Sequence, residues 1–210
     1  MVRRTLVTRC GPVACAGLLI AGHALAAPVL DLSGYRQALP DGAAANVVTN
    51  GGFDEGAAGW PLVKGYSFAP GEGHDGGALV YERSDPALYP LPNQVLPLKP
   101  GTRYRFSAWV RTDSVTQGDH GGATLCIQYT RNGQWIGGVY PPGLTGTNDW
   151  TRVESFCTVP LEADQCHTIL YMRQGATGKA WFDDVTVEAT KARWVVALLG
   201  RDHERIPPDD

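Results

Sequence analysis

The sequence has few charged residues and lacks long apolar runs. Charged residues make up 19% of its 210 residues, and the formal net charge is -3 at pH 7. A nucleic-acid-binding domain usually carries an excess of basic residues, so this charge balance argues against a nucleic-acid partner. The apolar run near the N-terminus is too short to cross a bilayer, and no later run is long enough either. We therefore expect no membrane partner.

Recognisable catalytic motifs are also missing from the sequence. It contains no Gly-x-Ser-x-Gly nucleophile turn, no His-Glu-x-x-His zinc motif and no Gly-rich phosphate loop before a helix. Glu82 and Asp85 are three residues apart, whereas a glycosidase needs two carboxyl groups across a cleft, roughly 5 to 9.5 Å apart. Glu154 could meet Glu82 in space, but no sequence pattern brings them together. The sequence therefore offers no clear catalytic pair.

The N-terminus has the three parts of a secretory signal peptide. Three arginines lie within the first nine residues, an apolar centre covers residues 12–20, and Ala24-Leu25-Ala26 is a small-x-small cleavage site. We expect residues 1–26 to be a signal peptide and the mature protein to be secreted, to an extracellular or periplasmic location.

Cleavage would leave three of the five cysteines, namely Cys126, Cys157 and Cys166. A secreted protein matures in an oxidising compartment, where a disulfide is allowed. Cys157 and Cys166 bracket a turn and could close a small loop, which would leave Cys126 as a free thiol. The other two pairings stay open, because sequence spacing does not fix connectivity.

Glycine and proline are abundant, with 26 and 15 residues, and they separate short segments that have strand character. The Asn132-Gly133 pair is a strong hairpin signal. No segment has the apolar period of a convincing amphipathic helix. About eight short strands at this spacing predict an all-β, two-sheet antiparallel sandwich. The predicted strands are 78–83, 93–98, 104–111, 124–131, 135–140, 150–159, 167–173 and 179–188.

The composition changes on both sides of this strand-rich region. Residues 27–45 are rich in Ala, Gly and Asp, and we interpret them as a linker. The sandwich domain is expected to cover residues 46–188. An apolar stretch at 194–199 and a polar end follow it, so residues 189–210 are interpreted as a tail or as a linker to a further domain.

The strand predicted at 104–111 has two different faces. Its even-numbered residues from 104 to 110 are apolar, and the alternate residues place Trp109 between Arg105 and Arg111. The apolar row suits a sandwich core. On the second row, an aromatic ring flanked by hydrogen-bond donors matches the chemistry of a sugar subsite. The alternative is that Trp109 packs under a loop, since tryptophan is often largely buried.

Three blocks occur in a fixed order along the predicted sandwich. The first covers 48–54 with Trp60, and the second covers 98–111. The third covers 146–153 and 156–160, followed by Trp181-Phe182-Asp183-Asp184-Val185. Together they resemble carbohydrate-binding modules of the CBM4/9/16/22 (CenC-like) type over about two thirds of the chain. The resemblance implies a galactose-binding-like β-jelly roll that is generally non-catalytic and is usually attached to a glycoside hydrolase.

The fold of that family, combined with strand alternation, gives a candidate binding patch. Alternation puts Gln128, on the strand 124–131, on the same side as Trp109. On the strand 167–173, Tyr171 and Arg173 are the better candidates for the side that faces the binding cleft. If these strands share one sheet, their side chains form one patch. Trp135 and Tyr140, on the neighbouring hairpin, are second-rank candidates. The predicted carbohydrate-binding residues are Trp109, Arg105, Arg111, Gln128, Tyr171 and Arg173.

Acidic residues near both ends of the domain suggest a second site. In the family, the first and last strands are neighbours, and a structural calcium often lies near them. Ca²⁺ takes about six to eight oxygen ligands, so backbone carbonyls around 50–53 would have to join the carboxylates. We expect Asp54 and Asp183 to be the metal ligands, with Glu55 and Asp184 as weaker candidates. The alternative is that these carboxylates cap turns or face solvent.

The resemblance implies a secreted module that binds a polysaccharide and does not cleave it. Expected ligands are plant-type or microbe-type β-glycans such as xylan or β-glucan, and the expected partner is a glycoside hydrolase. Two alternatives belong to other classes. One is a structural or adhesive cell-surface module, and the other is a small jelly-roll polysaccharide lyase that uses Tyr, His and Arg on one sheet face.

Overall fold

The computed structural model describes residues 45–190, which contain nine β-strands and no helix. None of this part of the chain forms a helix able to cross a membrane. The strands pair antiparallel in two sheets, ordered β1-β2-β9-β4-β7 and β3-β8-β5-β6. The predicted all-β, two-sheet antiparallel sandwich is confirmed. Its strands are β1 (Tyr66–Ala69), β2 (Ala78–Arg83), β3 (Asn93–Leu96), β4 (Arg103–Val115), β5 (Ala123–Arg131), β6 (Gln134–Val139), β7 (Gly146–Thr158), β8 (Gln165–Met172) and β9 (Gly178–Ala189).

Each of the eight predicted strands corresponds to one of β2 to β9, with shifted ends. The four-residue β1 was not predicted, because Tyr-Ser-Phe-Ala lies between a Gly and a Pro-Gly turn and is too short to display a clear period. The predicted signal peptide, most of the predicted linker and residues 191–210 of the tail lie outside the described residues, so those assignments remain predictions.

One apolar core fills the space between the sheets. The even-numbered residues of β4 from Tyr104 to Val110 are buried there, as the alternation predicts. They share the core with Leu125 and Ile127 of β5 and with alternate residues of β8. Because inward and outward side chains alternate along a strand, the intervening residues of each strand lie on the outer face of its sheet.

The five-stranded sheet contains three register irregularities, of which two contain a non-glycine residue with a positive φ. One extra residue of β9 lies between its pairings with Ser107 and Trp109, and Asp184 at this point has a φ of 48°. A second extra residue lies on β4 between Thr112 and Val115, where Ser114 has a φ of 52°. A bulge bends a strand and redirects its side chains. Both bulges bear on the sites described below.

The sheet order corrects one expectation about the predicted binding patch. β4 belongs to the five-stranded sheet, whereas β5 and β8 belong to the four-stranded sheet. The condition for a single patch, that all of these strands share one sheet, is therefore not met, and the six residues are divided between the two sheets. Alternation defines the side of a strand but not the sheet that the strand joins. The five-stranded face carries Trp109, Arg105 and Arg111, and the four-stranded sheet carries Gln128 and Tyr171, with Arg173 directly after β8.

The three cysteines of the described region are all free thiols, and all three are buried. Cys157 of β7 and Cys166 of β8 belong to the core, whereas Cys126 of β5 lies under the outer face of the four-stranded sheet. Burial raises the pKa of Cys126 to about 12 and the pKa of Cys166 to about 11. Thiols in this environment stay protonated at neutral pH.

Candidate functional site

The outer face of the five-stranded sheet carries three tryptophans. Trp109, Trp150 and Trp181 come from three adjacent strands. The Arg111 guanidinium lies 5.3 Å from the ring centroid of Trp150 and 4.2 Å from that of Trp181. The Lys179 ammonium lies 4.7 Å from the Trp181 ring, and only 8% of Trp181 is exposed. Cation–π contacts therefore cover part of this aromatic surface.

The loop over residues 70–77, between β1 and β2, covers Trp109. The His74 ring stacks on the Trp109 ring, with centroids 4.0 Å apart and an interplanar angle of 9°. His74 also meets Trp150 edge-on at 5.9 Å, and its Nδ1 lies 2.8 Å from the Asp184 carboxylate. One face of the Trp109 indole, which a sugar ring would need, is occupied by the imidazole.

A second residue of the same loop fixes the loop to the sheet. Glu72 Oε2 accepts a hydrogen bond from Trp181 Nε1 at 2.8 Å, and it lies 3.4 Å from Arg111 Nη2. These contacts hold the loop against the tryptophans at two points. The structure therefore agrees with the alternative interpretation of Trp109, in which the ring packs under a loop.

Arg105, four residues before Trp109 on β4, forms ion pairs with carboxylates. Its guanidinium lies 2.9 Å from Glu188 and 3.9 Å from Glu154, and Arg152 pairs with the same Glu154 at 3.0 Å. The hydrogen bond that Arg105 donates to the Glu188 carboxylate is the main cause of the raised pKa of Arg105. The donors of Arg105 are engaged within the protein, so this part of the face is an ion-pair network on a solvated surface.

The outer face of the four-stranded sheet is open by comparison. Trp135 of β6 is 62% exposed, and its Nε1 donates a hydrogen bond to the Tyr140 hydroxyl at 3.0 Å. Gln128 and His167 are half-buried on neighbouring strands, and His167 Nδ1 lies 3.2 Å from Asn93 Oδ1. An aromatic plate and several hydrogen-bonding groups therefore reach the surface together.

Tyr171 and Arg173 lie beneath this surface. Tyr171 is 2% exposed and packs with Cys126, and Tyr89 meets its ring edge-on at 6.3 Å. Arg173 is 9% exposed, and its Nη2 donates hydrogen bonds to the backbone carbonyls of Tyr140 and Pro141 at 2.8 and 2.9 Å. Their contacts make them supports for the residues above, and only the edges of their side chains reach solvent.

The strands of the four-stranded sheet contain no acidic residue, and Arg131 at the end of β5 is the one Lys or Arg within them. The strands β3, β5, β6 and β8 contain no Asp or Glu, whereas β2, β4, β7 and β9 of the other sheet all contain at least one. The strand β8 contributes His167, whose pKa is lowered by burial. Gln128 and His167 therefore offer uncharged hydrogen-bonding groups at neutral pH, and the Arg173 guanidinium lies beneath them, bound to backbone carbonyls.

The acidic residues predicted to bind calcium lie close to one glycine-rich region. Asp183 is fully buried, and its two oxygens accept hydrogen bonds from the backbone N–H groups of Asp75 and Asp184 at 2.9 and 2.7 Å. Burial is the main cause of the raised pKa of Asp183. Asp54 and Asp184 both lie near Gly52.

The fit of this region to a metal ion is partial. Asp183 pairs with no Lys, Arg or His among the described residues, so its buried charge lacks the compensation that a cation would provide. Within residues 45–190, however, no group of three or more His, Cys, Asp or Glu side chains is arranged to hold a metal. A calcium at this position would need backbone carbonyls for most of its ligands.

Two residues that contribute to these surfaces were not among the predicted sites. Tyr89 lies in a proline-rich connection before β3, and His74 lies in the glycine-rich loop before β2. The sequence signal for Tyr89 is an aromatic residue between prolines, which restrict the backbone around it. Nothing in the sequence around His74 indicates that its ring stacks on a tryptophan of a distant strand.

Comparison with known families adds an independent observation. A family model described as a carbohydrate binding domain matches residues 45–177, which is more than half of the chain. The match begins at the first residue that the structure describes and includes most of the sandwich.

Similar proteins and solved structures match about two thirds of the chain. The tRNA nuclease WapA of Bacillus subtilis (strain 168) is 27% identical over 164 residues, which are 70% of this chain and 7% of WapA, so the chain spans a small part of that relative. The CBM22-1 xylan-binding domain from Paenibacillus barcinonensis Xyn10C is 15% identical, with a TM-score of 0.53 over 71% of this chain and 97% of that domain. The CBM22-2 xylan-binding domain of the same protein is 16% identical, with a TM-score of 0.50 over 67% of this chain and 98% of that domain. At such identities the structures establish a common fold.

Proposed function

Because the chain belongs to the family of carbohydrate-binding domains, we propose that it binds a polysaccharide without cleaving it, through the outer face of its four-stranded sheet. The observation that carries this proposal is the exposed indole of Trp135 on a sheet face that also presents Gln128 and His167. Aromatic rings pack against the apolar C–H faces of sugars, and amides and imidazoles hydrogen-bond to the hydroxyls.

Each residue of the face has a distinct role in this proposal. Trp135 is the stacking platform, and its hydrogen bond to Tyr140 fixes the ring plane. Gln128 and His167 contact hydroxyl groups of the ligand. Tyr171 and Arg173 lie beneath these residues and support them. Tyr171 does so by packing, and Arg173 by donating a hydrogen bond to the Tyr140 carbonyl.

The lack of acidic residues in the strands of the four-stranded sheet, together with the uncharged Gln128 and His167, favours an uncharged β-glycan. A sheet without Asp or Glu does not attract cationic sugars. For uronic acids, His167 with its lowered pKa gives no positive charge at neutral pH, and the Arg173 Nη2 is bound to two backbone carbonyls. Xylan is the first candidate, because two similar structures are named as xylan-binding domains. β-Glucan is the second candidate.

We also propose that the protein is secreted and works beside a glycoside hydrolase. The support is the signal-peptide pattern within residues 1–26 together with the family membership. A binding module raises the local concentration of an attached or associated enzyme at its polymer. A lyase function has less support, since Tyr171 is buried and Arg173 is held by carbonyl groups.

A structural calcium near Asp54 and Asp183 is a further part of the proposal. Its support is the buried carboxylate of Asp183, which has no Lys, Arg or His partner among the described residues and lies beside Gly73, together with the position of Asp54 near Gly52. The ion would neutralise that charge and fix the ends of the domain, and it would take no part in ligand chemistry.

Affinity electrophoresis tests the main proposal. The parent protein should be retarded in gels that contain xylan, laminarin, mixed-linkage β-glucan or hydroxyethylcellulose, and Trp135→Ala should lose the retardation. Phe156→Ala is the matched control, because Phe156 is an exposed aromatic on the outer face of the five-stranded sheet. A folded parent protein that none of these polymers retards would contradict the proposal. Ultraviolet absorbance after incubation with uronic-acid polymers tests the lyase alternative, which requires a rise from unsaturated ends.

A further inference from the structure

An open depression of about 460 Å³ lies at one end of the five-stranded sheet, apart from the face proposed above. It forms where β2 ends, β9 begins and β4 carries its bulge. We propose that this depression is a second carbohydrate site, which binds one uncharged sugar unit. Its polar lining includes Glu82, Ser84, Asp113, Ser114, Thr177 and Lys179.

The backbone of the depression is strained in a specific way. Ser114 has a φ of 52°, which is unfavourable for a residue with a side chain, and it lies within the bulge of β4. Its N–H donates a hydrogen bond to Thr147 Oγ1 at 3.0 Å, and its hydroxyl donates to Asp113 Oδ1 at 2.9 Å. Strained residues that neighbouring groups hold in place concentrate at ligand sites. Bulges also concentrate there, because they redirect side chains.

The side chains of the depression match the hydroxyl groups of a sugar. Lys179 lies between Glu82 and Asp113 in the strand register, and its ammonium is 3.8 Å from Glu82 Oε2. The carboxylates accept hydrogen bonds, and the ammonium donates them. Each hydroxyl group of a sugar can both donate and accept, so neighbouring sugar hydroxyls can bind a carboxylate and the ammonium at the same time. Ser84 and Ser114 add hydroxyl groups that can act in either role.

The charge of the depression favours an uncharged ligand. Arg83 forms part of its lining, and the Arg83 guanidinium donates to the backbone carbonyls of Leu88, Arg173 and Ala176. Those bonds leave Arg83 as a fixed cation in the wall. The lining therefore contains two cationic residues, Lys179 and Arg83, and two carboxylates, Glu82 and Asp113, so an ionic ligand would leave one charge unbalanced.

This inference takes its class of ligand from the proposed function, but its location is independent of it. The depression belongs to the five-stranded sheet, and Trp135 belongs to the four-stranded sheet. Variants of one site can therefore be made without touching the residues of the other.

A titration followed by amide NMR shifts separates the two sites. Xylohexaose and laminarihexaose are added in turn to the ¹⁵N-labelled mature protein. We expect one group of shifts at 113–114 and 177–179, and a second group on β5 and β6 with its own midpoint. Lys179→Met should weaken binding at the first group at least tenfold and leave the second group unchanged, whereas Trp135→Ala should do the reverse.

Each outcome of this titration decides one of the two claims. Shifts on β5 and β6 alone would overturn the second site and leave the proposed function standing. Shifts at the depression alone would support the second site and contradict the role of the four-stranded face. An unchanged midpoint at 113–114 in both Lys179→Met and Asp113→Asn would also overturn the second site, and the amide spectrum of each variant reports directly whether it is folded.

Discussion

The two outer faces of the sandwich differ in how their tryptophans are used. On the five-stranded sheet, His74 stacks on Trp109, and cationic side chains cover Trp181. On the four-stranded sheet, Trp135 is exposed and has one polar contact, to Tyr140. The face with more tryptophans is therefore the less available one. Exposure of an aromatic ring, and not the number of rings, identifies a surface that can bind a sugar.

A glycine-rich loop produces this difference. A Cβ atom at Gly77 would lie 2.5 Å from the Phe68 ring, and one at Gly73 would lie 2.3 Å from the Gly77 carbonyl oxygen. Only glycine allows the backbone to fold so closely, and this folding brings His74 and Glu72 down onto the sheet. Within residues 45–190, no equivalent loop lies on Trp135.

The strongest test of the comparison is Trp109→Ala. We expect this change to lower the free energy of unfolding by about 2–4 kcal/mol, because it removes a half-buried ring and the stacking surface of His74. Binding to xylan should remain. Urea denaturation and affinity electrophoresis measure the two effects. Intact stability with lost binding would instead make Trp109 the sugar platform and reverse the roles of the faces.

Removal of calcium should have the next largest effect. An ion bound only to the folded state stabilises it by about 2.7 kcal/mol at a concentration one hundred times its Kd. The Tm should therefore fall when a chelator is added and should recover with excess Ca²⁺, while Asp183→Asn should show a smaller response to the chelator. Thermal melts with and without chelator measure this. A chelator-insensitive melt, with no metal in the purified protein, would exclude the site near Asp54 and Asp183.

Trp135→Ala should give a smaller change in energy but a clear change in function. We expect at least a tenfold loss of affinity for xylan oligosaccharides, equivalent to about 1.4 kcal/mol. The free energy of unfolding should change by less than about 0.5 kcal/mol, because the ring is mostly exposed. Calorimetric titration and a urea melt measure the pair of effects. Phe156→Ala should change neither, and an equal loss of affinity in that control would point to the five-stranded face.

The smallest expected effect is a dependence of stability on pH through His167. Burial lowers the pKa of His167, so around pH 6.5 the folded protein binds fewer protons at this residue than the unfolded chain does. Its contribution to stability is complete above about pH 6.5 and is lost as the pH falls through the lowered pKa. Denaturation between pH 5 and 7 should show a shallower slope for His167→Gln. If the unfolding free energy had the same pH slope in His167→Gln and in the parent protein, His167 would not be the source of the pH dependence.

Local pattern was sufficient to predict most of the fold. The alternation in β4 placed Tyr104, Phe106 and Val110 in the core, and the Asn132-Gly133 turn joined β5 to β6 as predicted. Both features depend on side chains a few residues apart. Sequence pattern also identified the outward side of Gln128, which lies on the open face.

Long-range contacts account for what the sequence did not predict. Whether β4 and β5 share a sheet depends on pairings between strands distant in the chain, and a period of two contains no information about them. The covering of Trp109 depends on His74, 35 residues earlier, and on the fold of a glycine-rich loop. The bulge at Ser114 contains no glycine, so the sequence gives no signal of its positive φ. The conformation is held instead by a hydrogen bond to Thr147 of another strand.

The three buried thiols can be used to measure how often the folded protein opens. Cys126 and Cys166 have raised pKa values, and Cys157 lies in the core, so an alkylating reagent in neutral buffer meets neither an accessible sulfur nor a thiolate in the closed state. Alkylation of these three thiols therefore proceeds only through transient unfolding, with Cys157 and Cys166 reporting on the core and Cys126 on the layer beneath the open face. Mass spectrometry of the modified peptides would compare how often the core and the layer beneath the open face become exposed in the native protein.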